Sequence, residues 1–155
     1  MRKLRFLIML LACLTFAACS DDDEPENKIT AENVVPGTYT GYTKVDCAYF
    51  QDDYADNQTL KIEAAANNTF NVSYTSENYG EYSVTGVTAV KSGDKFILSG
   101  EGVTKMGMNG NIKEYPCTFT GEVDTDKAAP QFKFTMPSVM GGLTVLFKTG
   151  TMPEE

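Results

Sequence analysis

Histidine and tryptophan are missing from all 155 residues, and arginine occurs only at positions 2 and 5. Without histidine there is no Ser-His-Asp or Cys-His nucleophile and no imidazole-ligated zinc. The phosphate-cradling strings G-x-x-x-x-G-K-[ST] and G-x-G-x-x-G are absent too, so nucleotide chemistry has no foothold. Positive charge is scarce: 13 Lys+Arg stand against 21 Asp+Glu, a formal net charge of -8. Such a chain is repelled by nucleic-acid phosphates, and no nucleic-acid partner is expected. No string calls for a cofactor, and no spacing of cysteines or carboxylates calls for a metal.

Long apolar runs are lacking as well, with one exception at the N-terminus. Met1 to Arg5 is basic, and Phe6 to Phe16 is apolar apart from Thr15. This run is too short to cross a bilayer, which takes roughly 20 residues. Ala17-Ala18-Cys19 follows: two small residues suited to a signal peptidase, then a cysteine in the position of a bacterial lipobox. A rival lipobox ending at Cys13 leaves an apolar run of only six residues, so Cys19 is preferred. The expectation is a lipoprotein signal peptide at 1–18, removed on export, and a fatty-acylated Cys19, with palmitate among its acyl chains. Several chains on one residue anchor stably where one does not.

After that cut the basic residues are ten lysines against the same 21 acids, a formal charge of −11. Asp21 to Glu24 are four consecutive acids two residues after Cys19. The run resembles the export signal of Bacteroidetes-type lipoproteins displayed on the cell surface. It also reads as a solvated, disordered tether, and the two readings are compatible. Residues 19–33 are thus expected to be the lipidated cysteine and its flexible tether, whose 14 residues after Cys19 reach about 20 Å as a coil. The protein is expected at the outer membrane, lipid-anchored and exposed at the cell surface.

From Val34 the pattern has a period of two. Tyr39, Gly41, Thr43, Val45, Cys47 and Tyr49 share one side of a candidate strand. Leu60 and Ile62, Phe70 to Tyr74, Phe96 and Leu98, Cys117 to Val123, Phe132 to Met136, and Leu143 to Phe147 alternate apolar with polar. One face in and one face wet is the signature of antiparallel sheet. Turn-forming clusters separate these runs at 66–68, 77–80, 91–94 and 124–127. Residues 34–155 therefore read as one all-β, antiparallel domain of about eight strands. Glycines within strands, at 41, 86, 100 and 121, favour the bends that close a barrel; Gly86 breaks its alternation as a bulge does.

Val35-Pro36-Gly37-Thr38-Tyr39-Thr40-Gly41, Val84-Thr85-Gly86-Val87-Thr88 followed by Gly93-Asp94, and Met136-Pro137-Ser138-Val139-Met140-Gly141-Gly142-Leu143-Thr144-Val145 together resemble the calycin-like β-barrel lipoproteins of Bacteroidetes. The resemblance covers residues 34 to 153 and implies a lipocalin-like, eight-stranded barrel. Lipocalins open with Gly-x-Trp; here Gly37-Thr38-Tyr39 stands in that place, and the arginine that packs on the Trp has no counterpart. The resemblance carries no activity over residue by residue.

Candidate sites follow from the pattern. The inward aromatics Tyr39, Phe70, Tyr74, Phe96, Phe119, Phe132 and Phe147 would line a ligand chamber, unless so many rings fill the barrel. Cys47 and Cys117, the cysteines that remain beside Cys19, could pair in an oxidising compartment or serve as two buried thiols. Gln51 to Asn57 clusters oxygen ligands in an expected loop without the EF-hand spacing, and reads as a solvated acidic loop. Lys105 to Gly110 and Met136 to Gly142, expected as loops, hold four of the seven methionines. They suit an adaptable lining at a barrel mouth, or a plug of the barrel end.

No carboxylate pair stands out for acid–base chemistry, so the expectation is no enzyme. The leading reading is a monomeric cell-envelope lipoprotein that binds a small hydrophobic or glycan ligand in or at the mouth of its barrel. The alternative is a solid barrel that contacts a protein partner at the cell surface.

Overall fold

The computed structural model describes residues 28–154. Cys19, the leader and most of the expected tether lie outside them. Eight strands run in chain order: β1 (Gly37–Asp46), β2 (Asp53–Ala64), β3 (Phe70–Ser76), β4 (Gly80–Ser92), β5 (Lys95–Met108), β6 (Asn111–Asp124), β7 (Gln131–Met136) and β8 (Leu143–Thr149). Each pairs antiparallel with the next, and β8 returns to β1 through Gly41↔Thr149 to Asp46↔Thr144, closing the barrel. Closure removes the two edges that an open sheet would expose. Ala31 to Asn33, at the end of the expected tether, form with Val34 a short helix, α1 (Ala31–Val34). The body from α1 to β8 holds its own core and closes its own sheet, as an independently folding unit must.

The inward alternation is as expected along β3, where Phe70, Val72, Tyr74 and Ser76 are buried and the residues between them exposed. β1 departs from it. Its register shifts between Gly41 and Thr43, so Gly41, Tyr42 and Thr43 are all buried, and it ends at Asp46. Tyr49, expected on the inner side of this strand, therefore lies in the following loop and is 78 % exposed. The expected break at Gly86 is present: its φ is +70°, and the registers of β4 shift on both sides around it. Glycine adopts that φ without the steric cost a Cβ brings.

Helix α1 sits at the end where β1 begins and burial of Val34 and Val35 ties it to the core. The Tyr39 hydroxyl donates to the Val35 carbonyl at 2.5 Å, and Lys127 Nζ donates to the Pro36 carbonyl at 3.2 Å. At the opposite end, the mouth, β5 and β6 outrun their neighbours. They pair with each other from Lys95↔Asp124 to Met108↔Asn111, whereas β6 pairs with β7 only over Thr118–Glu122. The methionine-rich segment 105–110 is thus mostly strand, and only Asn109-Gly110 turns, both at positive φ. Asn-Gly suits the tight turn of a two-residue hairpin.

The lumen is filled with rings. Phe132 lies 4.9 Å from Tyr39, 6.1 Å from Phe119 and 6.1 Å from Phe147, measured between centroids. Phe134 contacts Phe119 at 5.1 Å and Tyr82 at 4.8 Å, and Tyr74 joins Tyr82 at 5.5 Å. Gly121 makes room for this packing, since a Cβ there would stand 2.7 Å from Phe132 Cδ1. The seven rings expected to line a chamber are all buried in this core. Tyr39, Tyr74, Phe119, Phe132 and Phe147 touch one another as part of this filling, and Phe70 and Phe96 are buried in the same core.

Candidate functional site at the barrel mouth

Four segments build the mouth. The first is the β1–β2 loop, where Cys47 N–H donates to the Phe50 carbonyl at 2.9 Å and Asp52 N–H to Asp46 Oδ1 at 2.8 Å. Lys44 pairs with Asp52 at 2.6 Å and with Asp46 at 3.5 Å. The acidic stretch 51–57 is accordingly not one loop: β2 starts at Asp53, and Asp52 is held by Lys44. The second is the β3–β4 turn, braced by Tyr79 N–H to Ser76 Oγ at 3.2 Å. Tyr79 also donates its hydroxyl to Asp53 Oδ2, tying this turn to β2. Burial, and after it the Asp53 carboxylate, raises the pKa of the Tyr79 phenol. The third is the projecting β5–β6 hairpin. The fourth is the β7–β8 turn, where Met136 and Val139 close two successive turn bonds and the Met140 carbonyl accepts from Ala48 N–H at 3.3 Å.

Between them lies an open groove of about 610 Å³. One side carries Phe50 and Tyr79, with rings 6.0 Å apart, and Asn78. The hairpin supplies Met106, Gly107, Met108, Asn111, Lys113 and Tyr115, and the β7–β8 turn supplies Val139 and Met140. The lining is mainly apolar with a few polar groups, in the size range of small-molecule sites (~300–1,000 Å³). The two methionine segments divide between the roles expected for them. Met106, Met108 and Met140 line the groove, while Met136 is fully buried core. Phe50, Asn78, Asn111, Lys113 and Tyr115 are groove residues that the sequence reading did not single out. Lys113 and Tyr115 fall on the same side of a strand as Cys117, so extending that alternation two steps upstream finds them.

Beneath the groove the barrel interior turns polar. Tyr74 donates to Gln58 Oε1 at 2.7 Å, and Thr104 Oγ1 to the Glu81 carbonyl at 3.1 Å. The Thr43 and Tyr82 hydroxyls are buried with no hydrogen bond of good geometry among the described residues. Each has another hydroxyl nearby, on Tyr74 and Thr104 respectively. Burial raises the pKa of the Tyr82 phenol, with the neighbouring Tyr74 adding to the effect.

Cys47 and Cys117 are both buried free thiols. One follows β1 and the other lies in β6, strands that do not adjoin in the closed order. Burial pushes the Cys117 thiol up to about 11, which leaves it unreactive at neutral pH.

A model of the calycin-like β-barrel domain matches residues 35–150. The chain belongs to this family. Its barrel also superimposes on the crystal structure of a "putative outer membrane protein" from Bacteroides fragilis, with a TM-score of 0.63 and 31% sequence identity. The likeness covers 77% of this chain and 45% of that one, so this chain spans under half of the other protein's length. No curated protein matches the chain. The calycin-like chain thus shares its barrel with a protein described as a "putative outer membrane protein".

Proposed function

We propose that this calycin-like protein is a non-enzymatic lipoprotein of the outer membrane that holds a small hydrophobic or glycan ligand at the mouth of its barrel. The observation that carries the reading is the pairing of a ring-filled lumen with an open, aromatic- and methionine-lined groove above it. Tyrosine and phenylalanine faces suit sugar rings and apolar bodies alike, and thioethers adapt to either. The groove's lining includes no carboxylate, and the acid that touches its Tyr79, Asp53, is engaged by that tyrosine's hydroxyl. That supports binding over acid–base catalysis.

The outer face of the barrel supports attachment through the N-terminus. Lys61, Glu63, Asn71, Ser73, Glu101, Lys105, Glu114 and Lys133 point outward, where a barrel that crosses a bilayer carries an apolar band. A tether from Cys19 would reach the barrel at α1, the end opposite the mouth. The groove would then face away from the membrane and into the space around the cell. A second reading, contact with a protein partner, draws on the exposed hairpin tip, where Met108 and Ile112 are 82 % and 68 % exposed.

Native and denaturing mass spectrometry of the protein from its own host tests the proposal. A mass retained in the native spectrum and lost on denaturation is expected, and it identifies the ligand class. A bare native mass, with a protein recovered after surface crosslinking, would favour the second reading.

A further inference from the structure

The side chains that line the mouth groove include a cation, amides and phenols but no acid. Asn78 and Asn111 bring side-chain amides, and neither makes a side-chain hydrogen bond among the described residues. Lys113 brings an ammonium group that forms no ion pair there. The lysine at the register position just beyond it differs: Lys105, paired with Glu114, is in ion-pair contact with it at 3.7 Å on the outer face. The Tyr79 hydroxyl is already donated to Asp53. In a chain of net charge -8, an apolar groove that presents a free cation and amide donors, with no carboxylate in its lining, is an inversion of the surrounding surface.

We infer that the groove takes an amphipathic anion: an apolar body against Phe50, Met106, Met108 and Met140, with a single carboxylate, sulfate or phosphate head at Lys113. This rests on the mouth-binding reading and adds the charge of the ligand to it. The net negative charge of the chain disfavours the same molecule elsewhere, and Lys113 is the cation among the side chains that line this groove. An ammonium-to-oxyanion hydrogen bond is about twice as strong as a neutral one, which makes the head a determinant of affinity beside the apolar contact.

The test uses the chain from Ser20 onward, whose folded body contains its own closed core. Binding of decanoate, decanol and decyltrimethylammonium is measured by calorimetry below their micelle concentrations. Decanoate is expected to bind about ten-fold more tightly than decanol, a factor that corresponds to about 1.4 kcal/mol. The cationic probe is expected to bind more weakly than either. Lys113→Met should bring decanoate down to the affinity of decanol, while Lys91→Met, at the other end of the barrel, should change nothing. Equal binding of decanoate and decanol, or an unaltered decanoate affinity in Lys113→Met, would overturn the anion assignment and leave mouth binding standing. Absence of saturable binding by all three probes would overturn both. Decanoate and sodium decyl sulfate together distinguish a carboxylate head from a sulfate.

Discussion

The Tyr82 and Phe134 rings lie 4.8 Å apart, tilted by 45°. Phe134 also contacts Phe119 at 5.1 Å, while Tyr82 is the register partner of both Tyr74 and Thr104. The pair thus joins the phenylalanine stack to the buried hydroxyl-bearing residues of β3 and β5.

The two halves of that pair should respond oppositely to truncation. Phe134→Ala empties the centre of the ring stack and should cost about 3–5 kcal/mol. Tyr82→Phe deletes a buried hydroxyl that makes no good hydrogen bond, and should be neutral or stabilise by about 1 kcal/mol. Urea unfolding followed by circular dichroism measures both. A large loss in Tyr82→Phe would show that the hydroxyl is satisfied in solution.

Gly121 tests how tightly the lumen is filled. A methyl group there meets Phe132 Cδ1 at 2.7 Å, so Gly121→Ala should destabilise by about 1–3 kcal/mol. A neutral outcome would mean that Phe132 has room to move, as it would in a hollow barrel.

The barrel should lose stability in alkali. Burial pushes Cys117 from 9.0 to about 11 and Tyr39 from 10.0 to about 12. Both groups hold their protons more tightly when folded, so this contribution is complete below pH 9 and is lost as pH rises to about 12. Thermal midpoints should fall over that window, and Cys117→Ala should flatten the early part of the fall. A midpoint constant to pH 11 would contradict the burial of these groups. Ellman's reagent at pH 8 should find both thiols slow in the native protein and react with two per chain beyond Cys19 once it is unfolded.

Anchoring is tested in cells. Metabolic labelling with an alkyne fatty acid should mark the wild type and leave Cys19→Ala unmarked. Protease applied to intact cells should remove the wild-type protein if the four acids at 21–24 direct surface display. Complete resistance would place it on the inner side of the membrane.

The sequence made the strands and the closed barrel legible because inward burial imposes a period of two on residues such as Phe70, Val72 and Tyr74. Gly86 was legible as a bulge for the same reason: one residue out of phase breaks the period. The mouth was harder to read. Met106 and Met108 flank Gly107 just before Asn109-Gly110 and look like loop, yet they are strand because β5 and β6 pair with each other beyond the reach of β7. Pairing over a neighbour's end is a tertiary fact that no local pattern records. Phe50 and Asn78 come from turns, where no periodicity exists to place them. Whether seven inward rings surround a chamber or fill it depends on how their volumes interlock, which alternation leaves open.

The most direct test of a filled lumen beneath a binding mouth uses methionine methyl groups labelled with carbon-13 and observed by NMR during titration with decanoate. Met106, Met108 and Met140 line the groove, Met136 lies in the core, and Met152 follows β8 at the far end. The account predicts saturable shifts for the first three methyl groups and none for Met136 or Met152. Large shifts at Met136 with the three groove methyls unmoved would place the ligand inside the barrel and contradict it.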